Sequence, residues 1–368
     1  MNATKQLHDL GQSLWLDNIS HETLRDGTLA KLITEYSITG LTSNPTIFEK
    51  AMSEGDAYDD AIAKMARDGR STEDLFFALA VEDLQRAADL FLPAHEASGG
   101  VDGWASLEVS PLLVNDTQGT IRSAASLWRQ AGRRNLFIKI PGTPEGIPAI
   151  EESIYAGVPI NVTLLFSREQ YLAAAEAYMK GIERRLNGGK SPLVESVASL
   201  FVSRWDTGVK DTVSPEYQNK LGIAIAMRTY KAYRELLDSP RWKKILAAGV
   251  HPQRLLWAST GTKDPKAPDT LYVEALAAPD TINTIPDKTI LAFSDHGKLH
   301  GAMAKDGGDC EQVIAQFKAA GIDDAALAGQ LQREGAAAFV KSWNDLLERL
   351  AQKSSAVDSK AAGQGARA

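Results

Sequence analysis

The sequence predicts a single (β/α)8 barrel with extra helices, and three observations carry that prediction. Short β-rich runs recur along the chain, each ending in small or polar residues, with stretches of helical periodicity between them. That is the βα alternation of a parallel sheet. Eight such runs occur, the number that closes a barrel, and 368 residues suit a fold that commonly holds about 250 residues or more in one domain.

The expected strands are 13–18 (SLWLDN), 38–44 (ITGLTSN), 104–109 (WASLEV), 135–140 (NLFIKI), 159–165 (PINVTLL), 196–202 (SVASLFV), 254–259 (RLLWAS) and 281–285 (TINTI). After the fifth strand, Ser167 to Gln170 read as a capping box. Leu172, Ala175, Met179, Ile182 and Leu186 follow at spacings of three and four, which predicts a helix packing that stripe on the barrel. Residues 52–102 exceed a simple connection. Their own helical pattern, including Val81, Leu84, Ala88 and Phe91, predicts additional helices rather than a second domain. Phe339, Trp343, Leu346 and Leu350 mark a last amphipathic helix. The barrel is therefore expected over 1–352. Residues 353–368, almost free of large apolar side chains, are expected to form a short disordered tail. No internal repeat appears beyond the βα alternation.

Composition narrows the function. A chain that is 44% hydrophobic and 24% charged can bury a large core. The net charge of −7 argues against a general nucleic-acid or anionic-membrane surface, while leaving room for one cationic pocket. The N-terminus lacks an apolar signal core and no run is apolar enough to span a bilayer, so a cytoplasmic protein is expected. Cys310 is the only cysteine and the six histidines are scattered. Neither an internal disulfide nor a metal site is expected.

In such barrels the chemistry sits at the C-terminal ends of the strands. Asp17, Asn44, Glu108, Lys139, Asn161 and Thr163 all interrupt apolar strand patterns near that end. Lys139 is the sharpest of them, an ammonium within Leu136-Phe137-Ile138-Lys139-Ile140. Burial disfavours its charged form, and a neutral amine attacks a ketone; the alternative is a lysine whose long stem reaches solvent. Asp17 and Glu108 supply two proton carriers, which imine formation and carbon–carbon cleavage both require, although they also suffice to neutralise the lysine. Asn44, Asn161 and Thr163 suit sugar hydroxyls, or equally loop backbone groups. Ser199, Arg204 and Lys263, near the ends of strands six and seven, suggest a phosphate site. Ser259-Thr260-Gly261-Thr262 matches no nucleotide-binding fingerprint.

The motifs LWLDNI (14–19), TSNPTIF (42–48), SLEVSP (106–111), LFIKIPGT (136–143), INVTLLFS (160–167) and SVASLFVSRWD (196–206) together resemble the strand-end motifs of transaldolases, in family order. The resemblance covers roughly residues 8–350 and is closest to the longer bacterial type. It implies that Lys139 forms a Schiff base with a donor ketose and that Asp17 takes the proton of the C4 hydroxyl. It implies further that Glu108 serves imine formation and hydrolysis through a water held by Thr163. Asn44, Asn161 and Ser199 would bind donor hydroxyls and Arg204 the phosphate. Many members carry a second arginine after strand seven, where this chain offers Lys263 and so loses the bidentate geometry.

The implied reaction moves dihydroxyacetone from sedoheptulose 7-phosphate to glyceraldehyde 3-phosphate, giving erythrose 4-phosphate and fructose 6-phosphate in the pentose phosphate pathway. It needs no cofactor. The expected partners are sugar phosphates alone, and the expected assembly is a monomer or homodimer. The nearest alternative is a class I aldolase acting on fructose 6-phosphate, in which a neutral amide replaces the carboxylate of Glu108. A noncatalytic barrel binding sugar phosphates is the second.

Overall fold

The computed structural model describes residues 2–53, 56–66 and 69–365, the side chains of 66 and 356–365 excepted. All eight strands form where the sequence places them: β1 (Ser13–Leu16), β2 (Ile38–Leu41), β3 (Ala105–Glu108), β4 (Leu136–Pro141), β5 (Ile160–Leu165), β6 (Ser196–Phe201), β7 (Arg254–Ala258) and β8 (Ile282–Ile285). They run parallel in the order β2-β1-β8-β7-β6-β5-β4-β3, with helices on the outside, as a TIM barrel. Every residue of β4, β5 and β6 is buried, because helices cover one face and the barrel interior the other.

The two ends of that order, β2 and β3, meet at a lightly bonded seam. The Leu41 N–H donates to the Trp104 carbonyl at 2.9 Å, and the Ser43 hydroxyl to the Ser106 carbonyl at 2.7 Å. Gly40 allows the approach, since a Cβ there would lie 2.6 Å from Trp15 Nε1 and 2.7 Å from the Trp104 oxygen. Helices Asp59–Ala66 and Thr72–Ala97 make up much of the long excursion between β2 and β3. The second lies against both strands and buries Val81, Leu84, Ala88 and Phe91 as expected.

Two helical details differ from expectation. In helix Arg168–Asn187 Ala175, Met179 and Ile182 are buried as expected, but the buried face also takes in Tyr171, Ala174 and Tyr178, while Leu172 is exposed. The buried face is wider than the predicted stripe, taking in the two tyrosines, seven residues apart, with Leu172 left at its outer edge. Ser167 caps the Gln170 N–H, but Gln170 returns its oxygen to the Phe166 N–H, one residue earlier than a capping box requires. The last helix, Asp324–Gly365, buries Phe339, Trp343, Leu346 and Leu350. Its helical backbone runs on past Leu350 to Gly365. Lys353 pairs with Asp59 at 2.7 Å one turn beyond the last core residue. Among the described residues no helix is long and apolar enough to cross a membrane.

At the N-terminal end, Asp102 ties the barrel together. It accepts from Ser13, Trp15 Nε1 (2.8 Å), Thr39 (2.7 Å) and the Gly103 N–H (2.9 Å), and Arg254 donates to Ser13 at 2.7 Å. A buried donor left without its acceptor costs about 1–3 kcal/mol. Asp102→Ala is therefore expected to lower unfolding free energy by about 3 kcal/mol or more in denaturant melts, without direct effect on the distant catalytic end. A loss below about 1 kcal/mol would show that water replaces the carboxylate.

Candidate active site

Parallel register builds the site. Glu108 on β3 pairs with Lys139 on β4, and Lys139 with Asn161 on β5, so three polar residues stand side by side pointing into the barrel. Lys139 is 4% exposed, despite its long stem. Its Nζ donates to the Ser43 carbonyl at 2.9 Å and lies 3.1 Å from Glu108 Oε2, an ion pair outside hydrogen-bond alignment. Neither Glu108 oxygen, nor the buried Thr163 hydroxyl, has a hydrogen-bond partner among the described residues.

Lys139 reaches a cavity of about 260 Å³ at the C-terminal mouth, which Asp17, Asn44, Thr163, Ser199, Arg204 and Lys263 also line. Seven of the nine candidates thus meet at one cavity. Glu108 is set behind Lys139, facing a small apolar recess with Phe48, Phe76 and Trp343. Asn161 lies beneath the floor, accepting from Ser199 at 2.7 Å and donating to Ser106 at 3.2 Å. Asn44 is divided between two tasks: its oxygen caps the Ile47 N–H at 3.0 Å, leaving its NH2 group for the cavity. Arg204 makes no ion pair among the described residues, and Lys263 is exposed at the rim, which leaves both cations available to an anion.

Electrostatics separates the carboxylates from ordinary surface acids. Burial pushes the Asp17 carboxyl above its usual value, against the charge of Lys139 and a hydrogen bond from Thr42 at 2.9 Å. Burial likewise raises Glu108, opposed by Lys139 and reinforced by Asp17. Both are thereby made better proton acceptors.

Sequence reasoning passed over several contributors. Thr42, which orients Asp17 and meets Thr284 at 2.7 Å, stands in a motif where only Asn44 drew notice. The Ser43 carbonyl is invisible to side-chain reasoning. Ile47 and Phe339 form an apolar wall of the cavity, and Phe339 had read simply as one of a core stripe. Ser259, at φ 56°, also lines it; a positive φ in a residue other than glycine is the local strain common at functional sites.

A buried lysine near two carboxyls that burial makes more basic, at the C-terminal mouth of this barrel, is an arrangement suited to activating a carbonyl as an imine, the chemistry of class I enzymes. Comparison with known proteins narrows the class. The family model described as Transaldolase/Fructose-6-phosphate aldolase matches residues 14–350, and the chain belongs to that family. It is 44% identical over 358 residues to the transaldolase of Thermobifida fusca (strain YX), covering 95% of this chain and 97% of that one. It is 42% identical over 358 residues to that of Thiobacillus denitrificans, covering 95% and 100%. A transaldolase of Mycobacterium bovis is 42% identical over 348 residues, covering 92% and 93%.

Proposed function

We propose that the chain is a transaldolase, carrying dihydroxyacetone from sedoheptulose 7-phosphate to glyceraldehyde 3-phosphate through an imine on Lys139. Transfer, rather than aldol cleavage, is supported by relatives named transaldolase along nearly their whole length. The observation that carries the chemistry is the carboxylate of Glu108, 3.1 Å from the lysine nitrogen.

Lys139 attacks the C2 carbonyl of the donor, and its departing proton passes to Glu108. A water between Glu108 and the unpartnered Thr163 hydroxyl then takes part in loss of the carbinolamine oxygen as water. Asp17 removes the proton of the C4 hydroxyl while the C3–C4 bond breaks. The electron pair moves into the protonated imine, leaving an enamine on Lys139 and releasing the aldose. The acceptor aldehyde adds at the enamine carbon, Asp17 returns the proton to its oxygen, and hydrolysis frees the ketose. Asn44 and Ser199 bind hydroxyls, with Asn161 holding Ser199, while Arg204 and Lys263 take the phosphate. The acidic chain acts in the cytoplasm as a monomer or homodimer.

Product analysis with fructose 6-phosphate tests the reading. Glyceraldehyde 3-phosphate and sedoheptulose 7-phosphate should both appear only when erythrose 4-phosphate is present. Sustained glyceraldehyde 3-phosphate release without the acceptor would make the enzyme an aldolase. Glu108→Gln should slow transfer about 10²-fold, within the usual range for a proton carrier, and raise the share of net cleavage. Unchanged transfer would remove Glu108 from the mechanism.

A further inference from the structure

We infer that Gln332, on the C-terminal helix, is a positioning residue that holds the rim of β4 and β5 in its catalytic shape. Its Nε2 donates to the carbonyls of Gly142 and Leu164, each at 3.0 Å. Both partners accept only, so the NH2 group must be the end that faces them. Gln332 is 8% exposed, and a buried carbonyl deprived of its donor is costly.

The two acceptors stand where the wall of the barrel changes shape. The register of β5 against β6 breaks between Val162 and Leu165, and within that break Leu164 takes φ 58°. A left-handed conformation is unfavourable for leucine and persists only where its surroundings enforce it. A bulge of this kind re-aims the neighbouring side chain, and that neighbour is Thr163. The Gly142 N–H in turn donates to the Thr163 carbonyl at 2.7 Å. One amide thus joins the strand of Lys139, three residues past the nucleophile, to the strand of Thr163, one residue past its hydroxyl.

The helix adds a second support. Gly335, one turn after Gln332, faces Leu164, since a Cβ there would lie 3.0 Å from Leu164 Cδ2. A turn later Phe339 enters the cavity wall, and Thr46 and Ser342 bond across to the helix that follows β2 at 2.8 Å. The helix therefore bears on the cavity and on the bulge together. Gln332 touches no reacting atom; it acts by setting Thr163 against Glu108, and the inference rests on the role given above to Thr163.

The test follows loss of ¹⁸O from the C2 carbonyl of fructose 6-phosphate in the full-length enzyme, which reports imine formation and hydrolysis, beside transfer kinetics. Gln332→Met keeps the side chain's length and removes the donor. It should lower kcat and oxygen exchange about tenfold, with KM for fructose 6-phosphate changed less than twofold. Thr163→Ala should slow exchange as well, and the double variant should be no slower than Thr163→Ala alone. Gln332→Glu provides a second readout: its activity relative to wild type should recover as pH falls and the carboxyl regains a proton to donate, which a packing role would not produce. Slow exchange in Thr163→Ala with wild-type exchange in Gln332→Met, or a flat relative pH profile for Gln332→Glu, overturns the inference. Wild-type exchange in Thr163→Ala instead overturns the role of Thr163 itself.

Discussion

Lys139→Met should abolish transfer, with a loss of at least about 10⁴-fold, equivalent to about 5.5 kcal/mol of transition-state stabilisation. The substitution keeps the length of the stem and removes the buried amine to which the imine is assigned, leaving only the exposed Lys263 as an amine among the described residues lining the cavity. Borohydride reduction in the presence of fructose 6-phosphate should add mass to the wild-type chain at Lys139 and none to the variant. The fold should survive with a changed pH response. Lys139 is the main influence opposing the burial of Asp17 and Glu108, so without it both carboxyls should hold protons to higher pH. A raised carboxyl binds more protons in the native state than in the unfolded one. Its contribution is complete below the ordinary values of 3.8 and 4.5 and is lost as pH rises through the folded values. Unfolding midpoints of wild type and variant should therefore lie closer at acidic pH than at pH 8. An adduct on the variant, or activity above about 1% of wild type, would be incompatible with an essential imine on Lys139.

Asp17→Asn is expected to cost about 10²–10⁴-fold in transfer, the contribution usual for a proton acceptor at the breaking bond. It should leave imine formation intact. Borohydride should still label Lys139 while no aldehyde is released, and loss of labelling along with transfer would give Asp17 a different role. Stability should move the opposite way from activity. The carboxyl is held above 3.8 chiefly by burial, so at neutral pH the native state is disfavoured relative to the unfolded chain, where the carboxyl ionises freely. The amide removes that penalty, and the variant should melt higher than wild type at pH 7, the difference closing as pH falls below 3.8. That is the trade-off expected when a site keeps a poorly solvated charge for chemistry.

All eight strands were legible because parallel barrel strands are buried on both faces and read as short apolar runs. The polar interruptions within those runs located Lys139, Glu108, Asn161 and Thr163 by the same logic. Side-chain direction was less accessible. Leu172 and Tyr171 both fit an apolar helix face, and only packing over the barrel decides between them. Asn161 and Ser199 also bond to one another, a pairing that depends on cross-strand register and was not foreseen. Gln332 lay wholly out of reach. Its partners are main-chain carbonyls 190 and 168 residues earlier, and no side-chain pattern advertises them.

The seam between β2 and β3 gives the long helical excursion a purpose beyond connecting them. A barrel whose wall joins through so few bonds has, in effect, two sheet edges, and an uncovered edge is a template for pairing with a neighbouring chain. Helix Thr72–Ala97 lies across both strands. It shields the line along which this sheet would otherwise be open to a second molecule and to aggregation.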